Sequence, residues 1–152
     1  MNDAEQMAEE IRAGFEESLI AGWNAVHDIF TDKVEILHIP PSPSDAYAER
    51  EVSRAHVLAQ SKAFAKAMAD LHYTSVVSAE GDRVLVDVVI EGTLDDGTAI
   101  RIPFSTVYTV KNGQAFRLES ALTPEIAEPA TKALLAGGFD FSQRPDVEPI
   151  EK

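Results

Sequence analysis

Hydrophobic and polar positions follow two different periods along this chain, and the change of period divides it. Ala4, Met7, Ala8, Ile11, Phe15 and Leu19 recur at helical spacing, with Glu5, Glu9, Glu10, Glu16 and Glu17 off that stripe, which predicts a first helix. Asp3 with Gln6 three residues later reads as its capping box, and Gly22 as its stop. A short second helix carries Trp23, Val26, Ile29 and Phe30. Val34–Ile39 reads as a strand ended by Pro40 and Pro41, and residues 40–48 as a proline-rich loop. A third helix, from about Glu49 to Leu71, shows Val57, Ser61, Phe64, Met68 and Leu71 on its main stripe. Val52, His56, Ala63 and Ala67 line its flank.

After Leu71 the period becomes alternating. His72–Ala79, Arg83–Leu94, Thr98–Val110 and Gln114–Leu122 read as four strands. Gly81-Asp82, Asp95-Asp96-Gly97 and Asn112-Gly113 separate them, and each can supply the positive φ that tight hairpins require. Helices first and an antiparallel meander after predict an α+β fold with the helices gathered on one sheet face. Past Thr123, Glu128–Ala136 fits two helical turns ended by Gly137-Gly138, and the remainder reads as irregular. This predicts one domain over residues 1–125 and a C-terminal extension over 126–152, with no internal repeat.

Charge and composition remove whole classes of function. The 152 residues carry 13 Lys+Arg against 26 Asp+Glu, a formal net charge of −13. A chain this acidic repels phosphate backbones and anionic headgroups, so neither nucleic acid nor a membrane is an expected partner. The absence of cysteine excludes disulfides, thiolate nucleophiles and Cys-ligated metals. The acidic start MNDAEQMAEEIRAG does not read as a signal peptide, and no apolar run approaches the roughly 18 residues of a membrane span. A cytoplasmic location is the expectation. The four histidines show no metal-ligand spacing, so no metal and no cofactor is expected.

The segments LIAGWNAVHDIFTDKVEILHIPP (Leu19–Pro41) and DDGTAIRIPFSTVYTVKNGQAFRLES (Asp95–Ser120) carry a family likeness. Their pattern, with the order helix, short helix, strand, long helix and meander, resembles the nuclear transport factor 2-like superfamily over about residues 5–123. Within it, the ketosteroid isomerase and SnoaL-like polyketide cyclase branches are most similar. The resemblance implies a cystatin-like, cone-shaped barrel: a curved antiparallel sheet packed on three N-terminal helices around an apolar cavity. It implies a small apolar ligand and a homodimer through the outer sheet face. It places His38 where ketosteroid isomerases carry their aspartate base, and Phe15 where they carry an oxyanion-binding tyrosine. Their second oxyanion donor falls near Thr106 or Val107. The closing aspartate of SnoaL-like proteins is replaced here by Ala121-Leu122-Thr123, and Arg101 and Arg117 lack the flanking aspartates of the fold's epoxide hydrolases.

His38 is therefore the leading candidate base, sharing a strand face with Val34 and Ile36; the alternative is a core histidine bonded to backbone. Tyr108, on a face with Ile102, Phe104 and Thr106, is a candidate donor to an enolate oxygen, or a core tyrosine with one partner. Thr106 is the accompanying candidate. Phe15, Trp23, Phe64, Phe104 and Ser120 are expected to line the cavity; the last-strand pattern favours Ser120 over Glu119 as inward. Tyr47 is expected to anchor its loop or to close over the mouth from it, and His56 to approach from the helix flank or to stay half-exposed. His27 and His72 are expected at the surface or an interface. Arg101 is expected to pair with Asp87 or Glu91, and Phe139 and Phe141 to dock on the cone mouth or on a partner subunit.

Two functions follow. One is a cofactor-free isomerase, cyclase or dehydratase acting on an apolar, polyketide- or steroid-like carbonyl compound, with His38 as base and Tyr108 or Thr106 at the oxygen. The other is a non-catalytic ligand-binding or dimerisation module built around the same cavity.

Overall fold

The computed structural model describes residues 2–142 and 147–150. Helix α1 (Asp3–Glu17) is capped one residue before the expected position, by Asn2, whose side chain accepts the Glu5 N–H at 2.8 Å. Asp3 and Glu5 then place carboxylates at the positive end of the helix dipole. Helix α1 does not run on to Gly22. Ser18 stops it in an extended conformation, and the Ser18 hydroxyl accepts the Ala21 N–H at 2.9 Å, opening α2 (Leu19–Asp28). Gly22 lies inside α2, where it admits a neighbour: a Cβ there would stand 2.1 Å from the Phe15 ring. The glycine that reads as a stop is in fact the contact that lets the two helices close on each other.

Strand β1 (Phe30–Ile39) starts before the expected Val34, because Phe30 pairs with Ala115 across a register shift that hides it from simple alternation. A cis Ile39–Pro40 bond follows, and the chain turns back into β2 (Ala46–Glu49), antiparallel to β1. These residues were expected in the loop. Ala46 and Ala48 are the buried pair on that strand, too small to print an apolar signal. Helix α3 (Arg50–Ala67) ends before Leu71, with Met68 already extended.

The meander stands as read: β3 (His72–Glu80), β4 (Arg83–Thr93), β5 (Ala99–Lys111) and β6 (Gln114–Ala121) pair antiparallel in sequence. Asn112 and Gly113 hold φ of 54° and 77° at the tightest turn, as the primed hairpin geometry requires. Within it, Glu91 is the residue opposite Arg101, and Asp87 is opposite Ser105. Helix α4 (Pro124–Ala136) starts a turn before expected, since Pro124 rather than Pro129 occupies its first turn. The tail is not wholly irregular: β7 (Glu148–Pro149) pairs with β2.

One mixed sheet results, in the order β3-β4-β5-β6-β1-β2-β7, antiparallel except where β1 meets β6. Register shifts in β1 and before Val110 bend it, and β3 and β7 remain its two edges, so the curved sheet is open along one side. Its inner rows, such as Val84, Val86, Val88 and Ile90, are buried against Ile11, Phe15, Phe64 and Met68. Ile126, Ala133 and Leu134 of α4 join the same core.

His27 corrects an expectation. It is 2% exposed, and its ring bridges α2 to α3. Nδ1 lies 2.7 Å from the Trp23 carbonyl oxygen and Nε2 3.0 Å from the Ser53 hydroxyl. A carbonyl only accepts, so Nδ1 carries the proton and Ser53 donates to Nε2. The expectation of a surface or interface position fails because the partner of Nε2, Ser53, is 26 residues away on α3.

Two outcomes are expected. Gly22→Ala should cost about 2–3 kcal/mol and lower Tm by roughly 5–10 °C, because the new methyl meets a ring that is itself fully packed; an unchanged melting curve would show that Phe15 can move aside. Burial lowers the His27 pKa below 6.5, outweighing the Trp23 hydrogen bond, which raises it, and burial lowers His56 in the same direction. The unfolded chain thus binds more protons than the folded one below pH 6.5, so stability is full above that pH and falls as acid is added. Thermal melts between pH 7.5 and about pH 5, above the carboxylate range, should show this fall, and the His27→Gln, His56→Gln double variant should flatten it.

Candidate functional site

Strand β1 ends at Ile39, and the turn after it is tied by short local bonds. Asp45 N–H donates to the Ser42 carbonyl at 3.0 Å, and the Ser42 and Ser44 hydroxyls are 2.8 Å apart. Pairing of Ile36 with Ala46 brings the start of β2 beside the end of β1. The turn thereby delivers Asp45 to His38. One carboxylate oxygen, Oδ1, accepts the His38 backbone N–H at 2.9 Å and the ring Nδ1 at 2.7 Å. The aspartate side chain is 4% exposed and the histidine side chain 18%.

This geometry decides the tautomer. A carboxylate only accepts, so Nδ1 carries a proton, and in the neutral ring the lone pair is on Nε2. Among the described residues no hydrogen bond engages Nε2. The pair is thus a histidine oriented by a buried carboxylate with its outer nitrogen available to take a proton.

Register then supplies its neighbours. His38 is opposite Ser120, Ser120 opposite Thr106, Thr106 opposite Val86, and Val86 opposite Val77. Residues paired across neighbouring strands share a face and stand about 5 Å apart. Thr106, Val86 and Val77 are all buried, so this row lies on the helix-covered, concave face, with His38 and Ser120 at its more open end. Glu119 pairs with Leu37 and Val107 on the convex face.

The two expected oxyanion donors are engaged with each other. Thr106 Oγ1 lies 3.2 Å from the Val86 carbonyl and 3.1 Å from the Tyr108 hydroxyl. Thr106 has one proton to give and the carbonyl takes it, so Tyr108 donates to Thr106. Tyr108 is fully buried, which holds its phenol far above its usual pKa and therefore neutral. The Ser120 hydroxyl makes no hydrogen bond among the described residues, and it is the hydroxyl next to His38.

The remaining candidates are spread out. Phe15 packs edge-on to Trp23 at 5.1 Å, and Phe64 meets Phe104 at 6.1 Å, all in or against the core. Tyr47 does not lie on a loop: it sits on β2 opposite Glu35, on the convex face, with the Lys33 ammonium 5.8 Å from its ring. A β-strand of four residues flips it away from the concave side. His56 lies on the other side of α3, edge-on to Phe139 at 5.8 Å, and Phe139 in turn contacts Phe141 at 5.0 Å. Phe139 therefore docks on the flank of α3, and Phe141 packs on Phe139 while staying exposed.

Asp45 is the partner of His38 that the sequence pattern concealed. Reading residues 40–48 as a loop left it without a partner; recognising AYAE as a return strand would have brought it back to His38. Among the described residues, no three His, Asp or Glu side chains converge as a metal site would require.

Comparison with known proteins places the fold. Residues 8–118 match the model of the SnoaL-like domain family. A candidate isomerase from Bacillus subtilis is 18% identical and superposes with a TM-score of 0.54, covering 94% of this chain and 100% of that one. A candidate SnoaL-like polyketide cyclase from Mesorhizobium loti is 15% identical, with a TM-score of 0.53 and coverage of 79% and 98%. A nuclear transport factor 2-like protein from Burkholderia xenovorans is 12% identical, with a TM-score of 0.54 and coverage of 87% and 95%. No curated protein matches the sequence.

Proposed function

The chain belongs to the SnoaL-like domain family, and from that premise we propose that it is a small-molecule enzyme that moves a proton next to a carbonyl group. His38 is the general base, Asp45 positions it, and Ser120 is the hydroxyl that meets the substrate oxygen. The observation that carries this reading is the 2.7 Å bond from Nδ1 to a buried carboxylate with Nε2 left open.

In the proposed step Nε2 takes a proton from the carbon beside the carbonyl. The C–H electron pair moves into a new C=C bond and the carbonyl oxygen becomes an enolate, which accepts the Ser120 O–H. Asp45 stabilises the imidazolium that forms, and the imidazolium, whose Nε2 proton exchanges with solvent, returns a proton to another carbon or to a leaving hydroxyl. One proton is taken and one returned in each cycle, which suffices for isomerisation or dehydration; in a cyclisation the enolate carbon instead bonds to a second carbonyl carbon of the substrate, and the proton is returned to the alkoxide oxygen formed there. Apolar neighbours of the site, Ile36 and Leu118, fit an apolar carbonyl compound of the polyketide or steroid kind.

One observation favours the second reading, a binding module without chemistry: the Tyr108 and Thr106 donors are consumed within the core. Exchange of substrate α-protons for deuterium separates the two, because it reports proton abstraction whatever the final product. With steroid enones and polycyclic ketones as probes, His38→Ala should lose about 10²–10⁴-fold in exchange rate. Ser120→Ala should lose about 10²-fold. Asp45→Asn should lose roughly tenfold or more in kcat with KM unchanged, the split expected of a positioning residue rather than a binding one. Exchange at the wild-type rate in His38→Ala, with both proteins melting alike, would overturn the enzyme and leave the module.

The homodimer is assigned to the convex face, where Val76 is 65% exposed beside partly buried Leu85, Val89, Pro103 and Val107. No helix among the described residues is long and apolar enough to cross a membrane, and the acidic, cysteine-free composition fits a cytoplasmic location. Sedimentation should give twice the 16.5 kDa chain mass, and Val76→Asp should shift it toward the single-chain value by burying a charge in the contact. A wild-type monomer would remove this assignment.

A further inference from the structure

The end of α4 is pressed onto α3 more closely than any side chain would permit. A Cβ on Gly137 would stand 2.0 Å from the Ala63 carbonyl oxygen. Gly138 then turns the chain at φ +76°, and Phe139 lies back along α3 against His56. This leaves a cleft of about 380 Å³ between helix and returning chain, a size suited to a small organic molecule. Ala59, Ala63 and Phe139 supply apolar wall; Lys62 and Lys66, one turn apart on α3, supply charge.

The lysines are unlike several other cations of the chain. Lys33, Arg50, Arg54 and Arg117 are each ion-paired, whereas neither Lys62 nor Lys66 forms an ion pair among the described residues. One carboxylate lines the cleft, Asp140, whose Oδ1 accepts the Ser142 N–H at 2.9 Å and hydroxyl at 2.5 Å. Two ammonium groups against one carboxylate leave the cleft locally positive on a chain of net charge −13. At physiological ionic strength, exposed charges farther from the cleft than a Debye length of about 8 Å are largely screened.

We propose that this cleft binds a small amphipathic carboxylate, with its flat apolar body against Ala59, Ala63 and Phe139 and its carboxylate between Lys62 and Lys66. A phosphate fits less well. The backbone N–H groups of Gly137, Gly138 and Phe139, which would cradle its oxygens, already donate to Ala133, Leu135 and Leu134. Asp140 likewise opposes a dianion. No lining residue comes from β1 or β6, so the cleft stands apart from the His38–Asp45 pair.

The test is an amide-resolved NMR titration of the full chain with 2-naphthoate, and with neutral 2-naphthamide as the matched probe. Naphthoate should shift amides on α3 and residues 137–141, and naphthamide should bind about tenfold more weakly or worse. The Lys62→Met, Lys66→Met double variant should lose about tenfold in naphthoate affinity. Ala59→Glu, a change at an exposed helix position, should lose a similar factor by placing a like charge in the cleft. His38→Ala should bind naphthoate as wild type does, which separates this site from the proposed catalytic one. Equal affinity for the amide, unchanged affinity in the lysine variant, shifts centred on His38 and Ser120, or no shifts up to about 10 mM would each overturn the proposal.

Discussion

The parallel pairing of β1 with β6 is the constraint on which the molecule turns. The other strand pairs are antiparallel, and those of the meander are joined by tight hairpins. The β1–β6 pair spans α3 and the whole meander, and so carries a larger loop-closure cost than any hairpin of the meander. What offsets it is burial: Val34 of β1 and Ala115 of β6 are fully covered, and Phe30 sits against Tyr108 at 5.7 Å. Once the pair forms, the concave face becomes continuous. His38, from the first third of the chain, then lies beside Ser120 from the last, and neither has a role without that register.

The same constraint explains where polar groups can be spent. Buried hydroxyls need partners within the protein: Tyr108 gives to Thr106, Thr106 to the Val86 carbonyl, and Ser53 to His27. At the open end of the row the demand relaxes. Ser120 stays uncommitted and His38 keeps one nitrogen free because solvent or a ligand can serve them. Chemistry and stability therefore divide the row between them by depth rather than by residue type.

This division also separates what the sequence made legible from what it hid. Strands β3 to β6 were readable because Val84, Val86, Val88 and Ile90 alternate cleanly and Asn112-Gly113 is a strong turn signal. Helix α3 was readable from its stripe. What failed to show was anything set by long-range pairing: Phe30 as a strand residue, AYAE as a return strand, and Asp45 as the partner of His38. Small residues such as Ala46 and Ala48 carry no periodic signal, and a carboxylate in a proline-rich turn looks like any solvated loop residue. Gly22 misled for a related reason, since a glycine at a helix stop and one at a helix contact are identical in sequence. Of the site, His38 and the inward Ser120 were legible from alternation, while the engagement of Tyr108 with Thr106 depended on side-chain distances no pattern encodes.

A histidine at this position makes demands that a carboxylate base would not. A carboxylate presents two equivalent oxygens, so it needs only to be held near its target. An imidazole has two unlike nitrogens, and without a fixed partner the proton is divided between them and the ring is free to turn. Asp45 removes both freedoms at once: its single oxygen holds the ring Nδ1–H and the backbone N–H of the same residue, tying ring orientation to strand position. The return strand β2 is what makes that double contact possible across seven residues of chain. A carboxylate in place of His38 would face the buried Asp45 as a like charge, so base and turn form one unit and each accounts for the other.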